Sequence, residues 1–428
     1  MTMPTVPAVD DVATTPATPA APAKVRLTPA LKRFFGMAVP MYLSIYLIIG
    51  AVPGVLLPLQ VAAIDDANKA ANLALITGIG ALVAMIVSPI AGLISDRTRS
   101  RFGRRAPWLV LGALATGLAL VGMGLANGVA QLVIAWAIVQ LTLNLIISPL
   151  SALMPDRVPA ERRGLFSAIV GFAMMAGAIG GQAVGAAFSQ NIPAAYLVLP
   201  GFMLVMVVLF VIFAPDSSSK DLPREKFSLK VFLSTFWVSP RKHPDFAWGF
   251  LGRFLLFAGY FAINGYQLYL LQEYIGLGDD AVGYVAILGL TSLVGMLIAT
   301  AIAGPLSDKL GRRKIFVIAA SLIMAFAMVI PLVLPTLVGM ILFSFICGLG
   351  FGAYMAVDSV LMSMVLPSSD SYSKDLGVLN IAATLPQTIA PFLGGMIVLA
   401  FGYLGLFPVG IALAVLGALA IIPIKSVR

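Results

Sequence analysis

Side chains that can hydrogen-bond recur at helical spacing inside several apolar stretches of this chain. Trp136, Gln140, Asn144 and Ser148 follow one another at intervals of four. Tyr260, Asn264 and Gln267 are spaced by four and three, with Tyr266 nearby; Asn380, Thr384 and Gln387 repeat that spacing. Tyr42 and Tyr46 form a shorter stripe, and Tyr354 completes the candidate set. Residues three or four apart share one face of an α-helix, so each set presents a polar line along a rod. The chemistry is neutral amide and hydroxyl beside flat rings. Such groups suit a polyhydroxylated or weakly polar neutral solute better than a multiply charged one. Aromatic stripes also arise from helix packing, and buried Asn or Gln also tie helices together. Recurrence in several stretches favours a solute path.

One acid, Asp358, lies deep within an apolar stretch. An ionisable group in hydrocarbon is costly, so it marks function or a paired charge. A carboxyl group that gains and loses a proton at such a depth is what a proton-coupled carrier needs. The competing role is a structural pairing with Arg253. That arginine stands about a turn inside its own stretch and is expected to snorkel to the surface. Catalytic patterns are missing: there is no G-x-x-x-x-G-K-[ST] loop, no H-E-x-x-H pair and no Cys/His cluster. The single histidine, His243, sits in a charged connection, and the single cysteine, Cys347, lies in an apolar run. No enzyme activity, cofactor or metal is expected.

The elements that position these residues follow from composition. Of 428 residues, 60% are hydrophobic and 11% charged, with mean hydropathy +1.01, whereas a soluble domain carries roughly 25% charged residues. Apolar runs long enough to cross about 30 Å of hydrocarbon at 1.5 Å per residue fall at 35–60, 73–94, 107–126, 132–153, 165–188 and 196–213. A second six fall at 249–271, 282–303, 315–334, 337–366, 378–400 and 404–424. The third, sixth, ninth and twelfth runs hold no Asn, Gln, Asp, Glu, Lys or Arg and read as peripheral, lipid-facing rods. The fifth and eighth are rich in glycine, including Gly177, Gly181 and Gly185, and Gly289 and Gly295, as close helix contacts require.

Net charge is +9, and the placement of the basic residues explains it as membrane topology rather than nucleic-acid binding. Threading the chain through twelve spans puts almost every Lys and Arg on one face. The other face has Lys69 with Asp65, Asp66, Glu273, Asp279 and Asp280. The positive-inside rule makes both termini cytoplasmic.

The connection after the second run, Gly92 to Arg105, contains Ser95, Asp96, Arg97, Gly103 and Arg104. The one after the eighth, Gly304 to Lys314, contains Ser307, Asp308, Gly311, Arg312 and Arg313. Further echoes link Leu31, Arg33 and Phe34 to Leu251, Arg253 and Phe254, and Ser151, Leu153, Met154 and Pro159 to Ser359, Leu361, Met362 and Pro367. The chain is therefore two copies of a six-span unit. A Gly-x-x-x-Asp-(Arg/Lys)-x-Gly-Arg-Arg type of loop, twice, in a six-plus-six chain resembles the major facilitator superfamily. The segment Ser95 to Trp108 is similar to the glycoside-pentoside-hexuronide symporters and the sucrose-transporter-like branch. The resemblance implies alternating access and a conformational latch at Asp96, Arg97, Arg104, Arg105, Asp308, Arg312 and Arg313. Melibiose-type members of that branch couple cations through acids in the second span, and 73–94 has none, which argues against sodium symport.

The expected fold is an all-α membrane protein of about twelve transmembrane helices in two pseudo-symmetric six-helix bundles. Residues 1–30 read as a Pro/Ala/Thr-rich disordered tail, 31–215 as the first bundle, 216–246 as a cytoplasmic linker and 247–428 as the second bundle. The expected activity is carriage of a small neutral solute, a sugar or glycoside, across the plasma membrane, with protons as the candidate coupling ion. Efflux of amphiphiles and uncoupled facilitation are the alternatives. A channel is disfavoured because there are two unlike halves and no ring of charges. The expected partners are the solute, protons and the bilayer, with no nucleic acid and no obligate protein partner.

Overall fold

The structure, a computed structural model, describes residues 28–159, 162–220, 241, 243–365 and 372–425. Residues 1–27 of the tail and most of the linker lie outside that set, as do the side chains of Asp308, of residues 359, 360, 363, 364 and 388, and of residues 372–384, Asn380 and Thr384 included. Among the described residues all regular structure is helical. The first half comprises α1 (Pro29–Ile64), α2 (Lys69–Arg97), α3 (Ala106–Gly124), α4 (Val129–Ser151), α5 (Arg163–Ala187) and α6 (Ile192–Phe213). The second comprises α7 (Pro244–Gly265), α8 (Ala281–Leu310), α9 (Arg313–Val333), α10 (Leu337–Met364), α11 (Tyr372–Phe401) and α12 (Leu406–Ile421). Among the described residues eleven helices are long and apolar enough to cross a membrane, and α11 adds a shorter apolar stretch, Leu385–Phe401.

Local chemistry sets the ends. Thr28, Asn191 and Thr336 cap α1, α6 and α10 by accepting from backbone N–H groups of Leu31, Ala194 and Gly339, and Pro29 and Pro193 open their helices where no donor is needed. Gly311 closes α8 at φ +62°, a left-handed conformation that favours glycine. Several helices run past the apolar runs because polar terminal turns remain helical at the membrane surface. In α1 the segment Val52–Leu56 is a π-turn holding Pro53, which lacks an N–H and slips the ladder by a residue. A second π-turn, Leu270–Tyr274, follows α7 at the corresponding place in the second half.

The repeat is visible in the packing. Helix α1 packs on α5 and α6, α2 on α4, and α3 on α4 and α6; correspondingly α7 packs on α11 and α12, α8 on α10, and α9 on α10 and α12. The halves meet along two seams, α2 with α11 and α5 with α8, which the same exchange of halves interconverts. The outer helices are greasy on their free sides: Leu111, Leu114 and Leu118 of α3, Leu197 and Val205 of α6, Phe326 and Val333 of α9, and Leu416 and Leu419 of α12 are exposed. That is the surface of a protein whose solvent is lipid.

Glycine makes the tightest seams possible. A Cβ on Gly177 would stand 2.6 Å from the Leu43 carbonyl oxygen, and one on Gly181 would overlap the Leu47 carbonyl oxygen, so α5 lies on the backbone of α1. Gly180, on the neighbouring face, has room: its Cβ would meet a Leu47 methyl at 3.4 Å. Gly181→Ala is expected to cost about 1–3 kcal/mol through overpacking and to lower the Tm of the detergent-purified protein, while Gly180→Ala leaves it near wild type.

Candidate functional site

A cavity of about 200 Å³ lies at the α5–α8 seam, walled also by α7 and α10. Tyr260, Asn264 and Gln267 line it, joined by Gln182, Ser292 and Ser344. The remaining wall includes Met175, Met296, Phe343, Cys347 and Phe351, and among the described residues no charged side chain lines it. The side-chain amide of Asn264 donates to the Tyr260 carbonyl one turn back, at 2.8 Å, which fixes its rotamer and leaves its oxygen as an acceptor. The Tyr260 ring stacks on Phe351 with centroids 4.6 Å apart, and its hydroxyl is within reach of Ser292 and Asn264. Gln182 comes from the opposite half and leans on Gly289 of α8; its Oε1 is buried and unpartnered. The wall can donate and accept hydrogen bonds, offers a flat aromatic face, and carries no formal charge.

The other stripes have different neighbours. Tyr42 is buried and donates to the Leu150 carbonyl at 3.1 Å, while Tyr46 lies against Gly177. Trp136 and Gln140 face Gly80 of α2, and Asn144 donates to the Gln140 carbonyl at 2.8 Å. Gln387 is exposed. The sequence reasoning missed Gln182, Ser292 and Ser344. Gln182 carried a usable signal, as a lone amide in a span otherwise made of small and apolar residues.

Asp358 is 1% exposed and its Oδ2 is 3.2 Å from Arg253 Nε. Arg253 is therefore not a snorkelling residue: it is buried and turns inward because α10 offers it a counter-charge. The contact is an ion pair without the alignment of a hydrogen bond, and both carboxylate oxygens lack an aligned donor. Tyr354 stands one turn away, with a fully buried hydroxyl beside the carboxyl group.

Both halves share the closure at the acidic face. Lys69 of α2 pairs with Glu273 at 2.5 Å and with Asp66 at 2.8 Å, and its ammonium lies 5.5 Å from the Tyr269 ring centroid. Tyr269 donates to the Pro58 carbonyl at 2.8 Å and Tyr266 to the Ala70 carbonyl at 3.3 Å. In the α1–α2 turn, donors from Asn68 and Asn72 hold the Asp65 carboxyl below its ordinary pKa.

At the basic face Arg105 is the hub. It is 4% exposed and pairs with Asp96 at 2.5 Å and Asp156 at 3.0 Å, while also donating to the Ser95 hydroxyl. Arg104 reaches Asp156 at 2.5 Å. These contacts tie the end of α2 to the turn after α4, all within the first half. Arg312 is exposed at the start of α9, and Arg97 and Arg313 are engaged in contacts of their own.

A carrier-type bundle with a polar cavity between two repeats is the class that this architecture defines. The chain belongs to the major facilitator superfamily, whose family model it matches over residues 34–302 and 250–427. Three solved structures share the fold. The D-xylose–proton symporter is 17% identical, with 93% of this chain and 98% of that one covered and a TM-score of 0.69. The nucleoside transporter NupG is 12% identical, with 92% and 99% covered and a TM-score of 0.72. A bacterial homologue of the human lysosomal transporter Spinster, inward-facing and occupied, is 14% identical, with 92% and 97% covered and a TM-score of 0.68.

Removing Arg105 would leave Asp156 and Asp96 without their shared counter-charge. Arg105→Ala is expected to destabilise the protein by about 1–3 kcal/mol, since Asp156 keeps Arg104 and Asp96 is half-exposed. In a thermal melt it should fall well below Arg104→Ala, whose guanidinium is a third exposed and holds one partner.

Proposed function

We propose that this chain is a secondary-active transporter that carries a small neutral solute, a sugar or glycoside, by alternating access about the α5–α8 cavity. The observation that supports this most strongly is the cavity wall itself, in which uncharged Gln182, Tyr260, Asn264, Gln267, Ser292 and Ser344 converge where the halves meet. Binding sites at the interface of repeats are what rocking carriers use. The similarity of Ser95 to Trp108 to the glycoside-pentoside-hexuronide and sucrose-transporter-like branch points the same way. The Arg-rich loops around Asp96 and Asp308 supply the latch in this cycle. The positive-inside distribution supports cytoplasmic termini, and the plasma membrane is the proposed residence of such a carrier. Coupling is to protons at Asp358, whose neutral form needs no counter-charge and frees Arg253. A second reading, efflux of an amphiphile, is favoured by Met175 and Met296 in the wall, since flexible thioethers adapt to varied apolar shapes.

Thermal shift on the purified protein separates the two. A neutral sugar at about a hundred times its Kd should stabilise by about 2.7 kcal/mol, and stabilisation by cationic drugs but by no carbohydrate would reverse the order. Asn264→Ala should weaken solute binding about tenfold, the loss of one hydrogen bond in a dry site. In proteoliposomes with an imposed pH gradient, Asp358→Asn should abolish accumulation while counterflow exchange survives. Unchanged accumulation would remove Asp358 from the mechanism.

A further inference from the structure

The buried charge pair and the solute cavity lie on one seam. On α7, Arg253, Phe257, Tyr260 and Asn264 follow at helical spacing, and on α10 so do Asp358, Tyr354, Phe351 and Cys347, in the opposite direction. The two lines face each other through their rings. Arg253 lies over Phe257 at 5.5 Å, Phe257 meets Phe351 at 5.6 Å and Tyr354 at 5.7 Å, and Phe351 stacks on Tyr260 at 4.6 Å. The first contact of this series holds the guanidinium of the ion pair, and the last two rings are cavity wall. Phe257 itself is 1% exposed and does not line the cavity. Asp358 and Phe351 are seven residues apart, about 10 Å along the helix.

We infer that Phe257 is a positioning residue that couples the charge state of Asp358 to the shape of the solute cavity. The inference rests on the carrier reading with Asp358 as its proton site. When Asp358 is charged, Arg253 is held against it and its guanidinium face covers the Phe257 ring. When Asp358 is neutral, the guanidinium loses its counter-charge and seeks another position, and the ring it covered is free to shift. In a close-packed seam a displaced ring moves its neighbours, and here the neighbours are Phe351 and, through it, Tyr260. The charged or titratable groups acting on Asp358 are Arg253 from α7 and Tyr354 from its own helix. The flanking α8 and α9 contribute none among the described residues. Cavity shape thus answers to protonation within the second half, before any movement between halves.

The chain has one cysteine, Cys347, and it lines the cavity, so its alkylation rate by N-ethylmaleimide reports cavity shape without a known solute. The experiment is a double-mutant cycle at one pH on the full-length protein, using Asp358→Asn as the neutral mimic and Phe257→Leu to remove the ring. Asp358→Asn should change the Cys347 rate by about threefold or more when Phe257 is present, and by less than about 1.5-fold in the Phe257→Leu background. Phe257→Met, of similar volume to Leu but unbranched and flexible enough to fill gaps, should behave like Leu and guards against a simple packing loss. An equal effect of Asp358→Asn in both backgrounds overturns the inference, as does no effect in either, including a cysteine inert throughout. Transport separates the two proposals: normal pH-driven accumulation by Asp358→Asn removes the proton reading. Lost accumulation with unchanged alkylation removes only the role of Phe257.

Discussion

Hydrocarbon offers no hydrogen bond, and that constraint governs every level of this structure. A polar atom placed among the helices must find its partner in the protein or remain unsatisfied at a cost. Most are answered close to home. Asn144 and Asn264 donate to the carbonyl one turn back, and Thr77, Thr142, Thr291 and Ser321 do the same with their hydroxyls. Gln60 reaches across the first bundle to the Met123 carbonyl and accepts from Tyr196. Against this background the unsatisfied atoms carry information. Gln182 Oε1, Arg253 Nε, the Tyr354 hydroxyl and both Asp358 oxygens are among them, and they gather at the cavity and the seam beneath it.

The second organising fact is the division of labour between two copies of one plan. Packing repeats faithfully, helix for helix, down to the π-turns in α1 and after α7. Chemistry does not repeat. Among the described residues the cavity draws on α7, α8 and α10 of the second half and on α5 of the first. In the first half, α4 turns Trp136 and Gln140 toward Gly80. Backbone-level packing tolerates divergence of side chains as long as the small residues at the seams persist, so the two halves can carry different side chains on one plan. Gln182 is the exception that connects them, since it brings an amide of the first half into the cavity of the second.

Burial of charge follows the same logic on two scales. At the basic face Arg105 is enclosed but fully engaged, with Asp96, Asp156 and Ser95 around one guanidinium. Deeper in the membrane, Arg253 and Asp358 have only each other at ion-pair distance and no aligned hydrogen bond. The first arrangement is redundant, because Asp156 is held by both Arg104 and Arg105 while Arg105 also holds Asp96. The second can change with a single proton, because a neutral carboxyl no longer requires the arginine.

Sequence alone determined the solvent, the number and order of the rods, their duplication and the greasy outer helices, because these depend on composition and on a period along one chain. It also singled out Tyr260, Asn264 and Gln267, whose spacing fixes a common face. Which neighbour each face would meet is a property of two chains of residues at once, and period along one helix carries no record of it. Hence the period could not say that Trp136 and Gln140 would lie against Gly80, that Arg253, read as snorkelling, would turn to Asp358, or that Gln182, surrounded by small residues in the chain, would enter the cavity. Tertiary structure decided those matters, because only packing sets the partner, and in lipid the partner decides whether a polar group glues, switches or binds.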